Sequence, residues 1–196
     1  MAHIILVRHG ETEANRLGIY QGKITDHFLN LTGNRQAEAV AKTLKDFQIE
    51  KIYSSTSMRA IETAENINDY HEKSIFATGK LLEIDHGLFD GKTLEQVKAK
   101  YPKILETWWN HPEKVKFPKG ETLKGAHRRV TQFINDVIND MTRKIRSGND
   151  SGSNYLNADE YFGNPASQFQ KISAHLKYRR NFNQGNGKRP FNYRRQ

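Results

Sequence analysis

Arginine and histidine stand side by side at positions 8 and 9, followed by Gly10, Glu11 and Thr12. A guanidinium presents several N–H donors in a planar fork that matches the oxygens of a phosphate. An imidazole held neutral keeps a lone pair that can attack phosphorus. Gly10 lets the backbone bend sharply or approach a ligand closely. The pair Arg8 and His9 therefore suits binding of an oxyanion and covalent transfer of a phosphoryl group. Short motifs of this kind also arise by chance, so their weight depends on the elements that present them.

Ile4-Ile5-Leu6-Val7 runs directly into the pair. Such an aliphatic, β-branched run predicts a strand buried on both faces, as in a parallel sheet. That strand would deliver Arg8 and His9 to its carboxyl end, where open α/β sheets place their ligands. A polar, glycine-marked loop follows through Gly18, Gln21-Gly22 and Asp26. Ala37, Val40, Ala41 and Leu44 then fall at helical spacing after Thr32-Gly33, with Phe47 extending the stripe. Lys51 to Ser55 reads as a short strand, and Thr56-Ser57-Met58-Arg59 opens a second helix with Ala60, Ile61, Ala64 and Ile67 on its apolar side; Ser57 or Thr56 would cap it. Leu81 to Asp85 leads into a turn at Gly87 and Asp90-Gly91. Further helices are expected from Thr93 to Tyr101, from Pro102 towards Trp108-Trp109, and from Ala126 to Ile145. The alternation predicts an α/β fold with a mostly parallel central sheet flanked by helices.

The stretch Leu6-Val7-Arg8-His9-Gly10-Glu11-Thr12 resembles the signature of the histidine phosphatase superfamily, the phosphoglycerate-mutase-like enzymes. The resemblance extends, in order, across about residues 3–146. Arg59, in Tyr53-Ser54-Ser55-Thr56-Ser57-Met58-Arg59-Ala60-Ile61-Glu62-Thr63-Ala64, is similar to the second-strand motif whose arginine binds phosphate. Asn15 stands where the phosphate loop has a polar contact. Glu83, in Leu82-Glu83-Ile84-Asp85-His86-Gly87, is similar to the acid motif, whose carboxyl protonates the leaving oxygen and then activates water. Phe117-Pro118-Lys119-Gly120-Glu121-Thr122, before Arg128-Arg129-Val130, resembles the segment ahead of the last long helix, with Gly120 and Glu121 as weaker site candidates. The resemblance implies a phosphohistidine on His9, with Arg8, Arg59 and Asn15 holding the phosphoryl oxygens, and no metal or other cofactor. It also implies hydrolysis of a small phosphorylated substrate. A phosphoglycerate mutase is the alternative, although mutases of this kind carry a longer insert after the acid residue.

One expected part is missing. The family has a second histidine in a Ser-His-Gly turn after a hydrophobic strand, and nothing after Ile145 matches it; Ser173-Ala174-His175-Leu176 is the nearest approach, and His86 is a poorer stand-in. Losing one pre-organised donor of this type costs on the order of 10²–10³ in rate, so impaired activity is expected. Beyond Ser147 the branched aliphatic residues are Leu156, Ile172 and Leu176 alone. Such a composition cannot bury enough apolar surface to offset ordering entropy. Residues 1–147 are therefore expected to form the α/β domain, with its C-terminal strand lost, and 148–196 a low-complexity, disordered basic tail. A shift of reading frame near residue 147 would account for the change.

The whole chain has 196 residues, 36% hydrophobic, with no cysteine and a formal net charge of +9. That length suits one domain with a sizeable core. Absence of cysteine excludes disulfides and thiolate metal sites and fits a reducing compartment. The start carries no basic n-region and its apolar run is too short to span a bilayer, so a cytoplasmic protein without membrane contact is expected. The surplus charge is concentrated in the tail, where Lys171, Lys177, Arg179, Arg180, Lys188, Arg189, Arg194 and Arg195 occur without Asp or Glu. RNA or another polyanion is consequently a candidate partner for the tail alone. Oligomeric state is left open.

Overall fold

The structure, a computed structural model, describes residues 4–146. The expected tail and His175 lie outside the described residues. Eight elements follow in order: α1 (Glu13–Arg16), α2 (Leu31–Leu44), β1 (Ile52–Ser55), α3 (Met58–Asn68), β2 (Ile75–Thr78), α4 (Leu94–Lys100), α5 (Pro102–Asn110) and α6 (Leu123–Arg146). Short 3₁₀ turns at Gly79–Leu81, Gly87–Phe89 and Pro112–Lys114 join them. Strands β1 and β2 pair in parallel, Ile52 opposite Ile75 and Ser55 opposite Thr78, with α3 as the crossover. The fold is α/β. No helix of the described residues is long and apolar enough to cross a membrane.

Local chemistry explains most boundaries. Asn30 caps α2 by accepting from the Gly33 amide at 2.8 Å, so the helix starts at Leu31 rather than after Thr32-Gly33. Thr93 and Gln96 close a reciprocal capping box on α4, and Pro102 at the first position of α5 separates the two helices. Ser57 is the N-cap residue of α3, but its hydroxyl makes no capping bond. The carboxylate of Asp26 accepts from the Met58 amide instead, at 2.8 and 3.0 Å. The sequence pattern did not reveal β2; Ile75-Phe76-Ala77-Thr78 is too short and too exposed to show alternation.

The segment Ile4 to Val7 differs from expectation. It forms no ladder among the described residues, and Leu6 and Val7 are 55% and 39% exposed. Only Ile5 packs inward, against Ala41, Leu44 and Ile67 of α2 and α3. A strand requires a neighbour supplying N–H and C=O groups from elsewhere in the chain. The run carries the propensity, but no described segment lies in register beside it to form that ladder.

Two cores result. Ala41, Leu44 and Ile67 join α2 to α3, while Ile84, Phe89, Val97, Leu105, Val115, Phe117 and Ala126 fill the space among α4, α5, α6 and the loops between them. The turn at Gly10–Glu11 is gripped from both sides. Thr63 of α3 accepts from the Gly10 amide at 3.1 Å, and Gln36 of α2 accepts from the Glu11 amide at 2.9 Å. A Cβ on Gly33 would sit 2.0 Å from the Glu11 carbonyl oxygen, and one on Gly10 would sit 2.4 Å from that of Gly33. Backbone here meets backbone, with no flexible side chain to yield. Alanine at position 33 would gain about 1 kcal/mol of helix propensity but must force this contact apart, which costs about 1–3 kcal/mol or more. Gly33→Ala is accordingly expected to lower the urea midpoint at unchanged m; a midpoint that rises would show the contact to be slack.

Candidate active site

His9 follows the Ile4–Val7 segment, half-buried at the turn that α2 and α3 hold. Its Nδ1 lies 2.7 Å from the carbonyl oxygen of Gly10. A carbonyl only accepts, so Nδ1 carries the proton and Nε2 keeps the lone pair. Burial holds the imidazole below the usual histidine value. The Gly10 carbonyl opposes this, Arg59 and Arg8 reinforce it, and Glu83 opposes it weakly. The ring is thus neutral, with its nucleophilic nitrogen defined.

Arg59 sits in the first turn of α3, 2% exposed. Its Nε and Nη1 are buried and have no hydrogen-bond partner among the described residues. The nearest carboxylate, Asp26, stands 3.7 Å from Nη1 and is itself engaged with the Met58 amide. Burial lowers the guanidinium from its ordinary value, with Glu83, Asp26 and Asp90 acting against that. A buried cation with free donors is costly, and its position at a helix N-terminus adds further positive potential. Thr63 ties the two halves together, donating to the Arg59 carbonyl at 2.7 Å while accepting from the Gly10 amide.

Glu83 approaches from the loop between β2 and α4, partly buried, its Oε1 accepting from the Ile84 amide at 2.8 Å. His86, 8% exposed, is boxed by the edges of Tyr20, Phe117 and Trp108 at ring distances of 5.4, 5.0 and 6.2 Å. Its Nδ1 is buried without a partner, and burial pulls its basicity down against Glu83, Asp90 and Asp85. Asp90 joins this loop to the one after α1, accepting from the amides of Gly22, Ile24 and Thr25 at 2.9, 2.7 and 3.1 Å. Burial works against the Asp90 charge. The Thr25 hydroxyl and those amides outweigh it and hold the carboxyl below its ordinary value.

Of the residues read from the sequence, Arg59, Arg8 and Glu83 all act on the charge of the His9 imidazole. Arg8 is exposed at its edge. Asn15 acts more locally, its Oδ1 accepting from the Thr12 amide at 3.0 Å to complete the capping box of α1. Its Nδ2 makes no hydrogen bond to the described residues, so a donor remains available. Sequence reasoning missed Asp26, Asp90 and Thr63, which hold the elements of the site in place. Each bonds to groups 30 to 70 residues away, about which no local pattern carries information. Glu121, read as a weak candidate, is a brace: it accepts from the Asp85 amide at 3.0 Å and pairs with Arg129 at 2.5 Å.

The sequence model of the histidine phosphatase superfamily (branch 1) matches residues 4–146. Phosphoserine phosphatase 1 of Hydrogenobacter thermophilus is 37% identical over 137 residues, 70% of this chain and 64% of that protein. An uncharacterised phosphatase of Bacillus subtilis, PhoE, is 42% identical over 130 residues, 66% of this chain and 61% of that one. Among solved structures, Bacillus stearothermophilus YhfR superposes with a TM-score of 0.66 at 29% identity, covering 68% of this chain and 65% of its own. The chain thus spans somewhat less than two thirds of the length of these relatives.

Two measurements test the electrostatics. The His9 imidazole is expected to titrate below 6.5 with its proton on Nδ1, by ¹⁵N chemical shifts of the ring; a midpoint above 6.5 would mean that the ring is solvated. Arg59→Met removes a buried, poorly partnered charge, so unfolding stability should hold or rise. Phosphate or vanadate affinity should at the same time fall at least about 30-fold. Loss of stability together with unchanged affinity would make Arg59 a structural cation.

Proposed function

We propose that this chain, which belongs to the histidine phosphatase superfamily (branch 1), hydrolyses phosphate monoesters of small molecules through a phosphohistidine on His9. The observation that carries the reading is a neutral imidazole, with its Nδ1–H committed to a carbonyl, and a buried guanidinium acting on it whose Nε and Nη1 have no hydrogen-bond partner among the described residues. That pair supplies a nucleophile and a counter-charge for the same dianion.

In the first step the Nε2 lone pair attacks phosphorus in line with the ester bond. Arg59, Arg8 and the amide nitrogen of Asn15 bind the equatorial oxygens. The P–O bond breaks with its electron pair on the leaving oxygen, and the carboxyl of Glu83 gives that oxygen a proton. Positive charge builds on the ring as the P–N bond forms, and the Nδ1–H bond to Gly10 strengthens in response. In the second step the Glu83 carboxylate takes a proton from water as its oxygen attacks phosphorus. The P–N bond then breaks, its pair returns to Nε2 and inorganic phosphate leaves. Protons and electrons balance over the cycle, and positioning with charge neutralisation supplies the rate.

Hydrolysis is favoured over isomerisation of phosphoglycerate because α6 begins only about forty residues after Glu83, leaving little room for an insert over the site. Within this sequence no Ser-His-Gly turn follows Ile145, and without the donor that such a turn supplies turnover should be about 10²–10³ below that of an enzyme carrying it. The full chain given a chromogenic phosphate ester is expected to release phosphate and to accumulate acid-labile label. His9→Ala should lose both, with a rate at least about 10³-fold lower. With 3-phosphoglycerate and a bisphosphoglycerate primer it should yield free phosphate rather than 2-phosphoglycerate. Label that survives His9→Ala would refute the mechanism, and formation of the isomer would reassign the chain as a mutase.

A further inference from the structure

The loop carrying Glu83 has no ladder to hold it. Between the 3₁₀ turns at Gly79–Leu81 and Gly87–Phe89, residues 82–86 are irregular. Their backbone groups are bound by side chains from the other end of the domain. Arg129 of α6 donates from Nη1 to the carbonyls of Lys80 and Leu82, both at 2.9 Å, and from Nη2 to that of Glu83 at 3.5 Å. The same Nη2 lies 2.5 Å from Oε1 of Glu121. Glu121 in turn accepts from the Asp85 amide at 3.0 Å, and its own amide donates to the Asp85 carbonyl at 2.9 Å. Behind this pair, a Cβ on Gly120 would fall 2.2 Å from the Asp85 carbonyl oxygen, so the backbones touch.

We propose that Arg129, braced by Glu121, is a positioning residue that sets the Glu83 carboxyl against the leaving oxygen. The inference rests on the proton-donor role given to Glu83 above. Three carbonyls and the Glu121 carboxylate converge on one planar fork, four acceptors spread over two nitrogens, which a guanidinium satisfies and the three N–H donors of a single ammonium cannot. The Ile84 amide, also in the gripped stretch, donates to Glu83 Oε1 and sets the direction of its carboxyl. A carboxyl on a loop held at residues 80, 82, 83 and 85 therefore has little freedom, and releasing the grip displaces the acid without touching His9 or Arg59. A displacement of about 1 Å costs on the order of 10²-fold in rate.

Leaving-group dependence separates positioning from general support. Nitrophenolate departs from phosphorus without help, whereas phenolate profits from a proton. Arg129→Lys is expected to lower kcat/KM, which reports phosphoryl transfer to His9 and not the second step that both esters share, on the order of 10²-fold for phenyl phosphate and several-fold at most for 4-nitrophenyl phosphate. Glu121→Gln should show the same bias more weakly. In a Glu83→Gln background, Arg129→Lys should cost nothing further with phenyl phosphate. The ratio between two esters measured on one preparation is independent of the fraction folded, so partial unfolding cannot imitate the effect. Equal losses on both esters, or losses that add to those of Glu83→Gln, would overturn the positioning role alone. A parent chain that hydrolyses neither ester would remove the reading of the preceding section, and this one with it.

Discussion

A cation held almost out of water, with three of its five N–H donors unmet among the described residues, is the constraint that the rest of the molecule serves. Arg59 lies at the first turn of α3, facing an Asp26 carboxylate too distant for a good ion pair and already engaged by the helix. In an ordinary interior such a group would be exposed, neutralised or replaced. Its charge acts directly on His9 and favours the unprotonated ring. Burial, guanidinium and carbonyl thus act together on one imidazole. The first two keep the proton off, and the third fixes which nitrogen is free.

Close backbone packing gives that electrostatic arrangement its precision. Gly10 and Gly33 allow the turn bearing His9 to lie directly on the start of α2, and Thr63 bonds the same turn to the residue that holds the cation. Displacement of either helix would move the nucleophile and its counter-charge together. The acid side is built differently. Its loop hangs on side chains reaching from α6 and the segment before it, and Asp90 links it through three amides to the loop after α1. One half of the site is set by helix packing and the other by charged hydrogen bonds to irregular backbone. Such bonds are stronger than neutral ones but depend on each partner's ionisation.

The helices were legible because their information is local. Apolar spacing in α2, α3 and α6, the Thr93–Gln96 box and the proline opening α5 each signal themselves within a turn or two. The strands were less so. Ile4 to Val7 has every mark of a buried strand and is not paired among the described residues, while Ile75 to Thr78 has few marks and pairs with β1. A ladder is made of two segments, and neither contains the information that the other will be there.

For the site, sequence alone determined which functional groups were available: an arginine and histidine before a glycine, a second arginine opening a helix, a glutamate in a turn. Those identities follow from chemistry that side chains carry with them wherever they sit. Tertiary structure decided that Arg59 would be buried without a full set of partners and that His9 would be neutral with its proton on Nδ1. It also decided that Glu121 and Arg129 would brace the acid loop rather than face solvent. Desolvation and hydrogen-bond pairing depend on which residues meet in space, and the bonds that join the elements of the site link positions 32 to 68 apart.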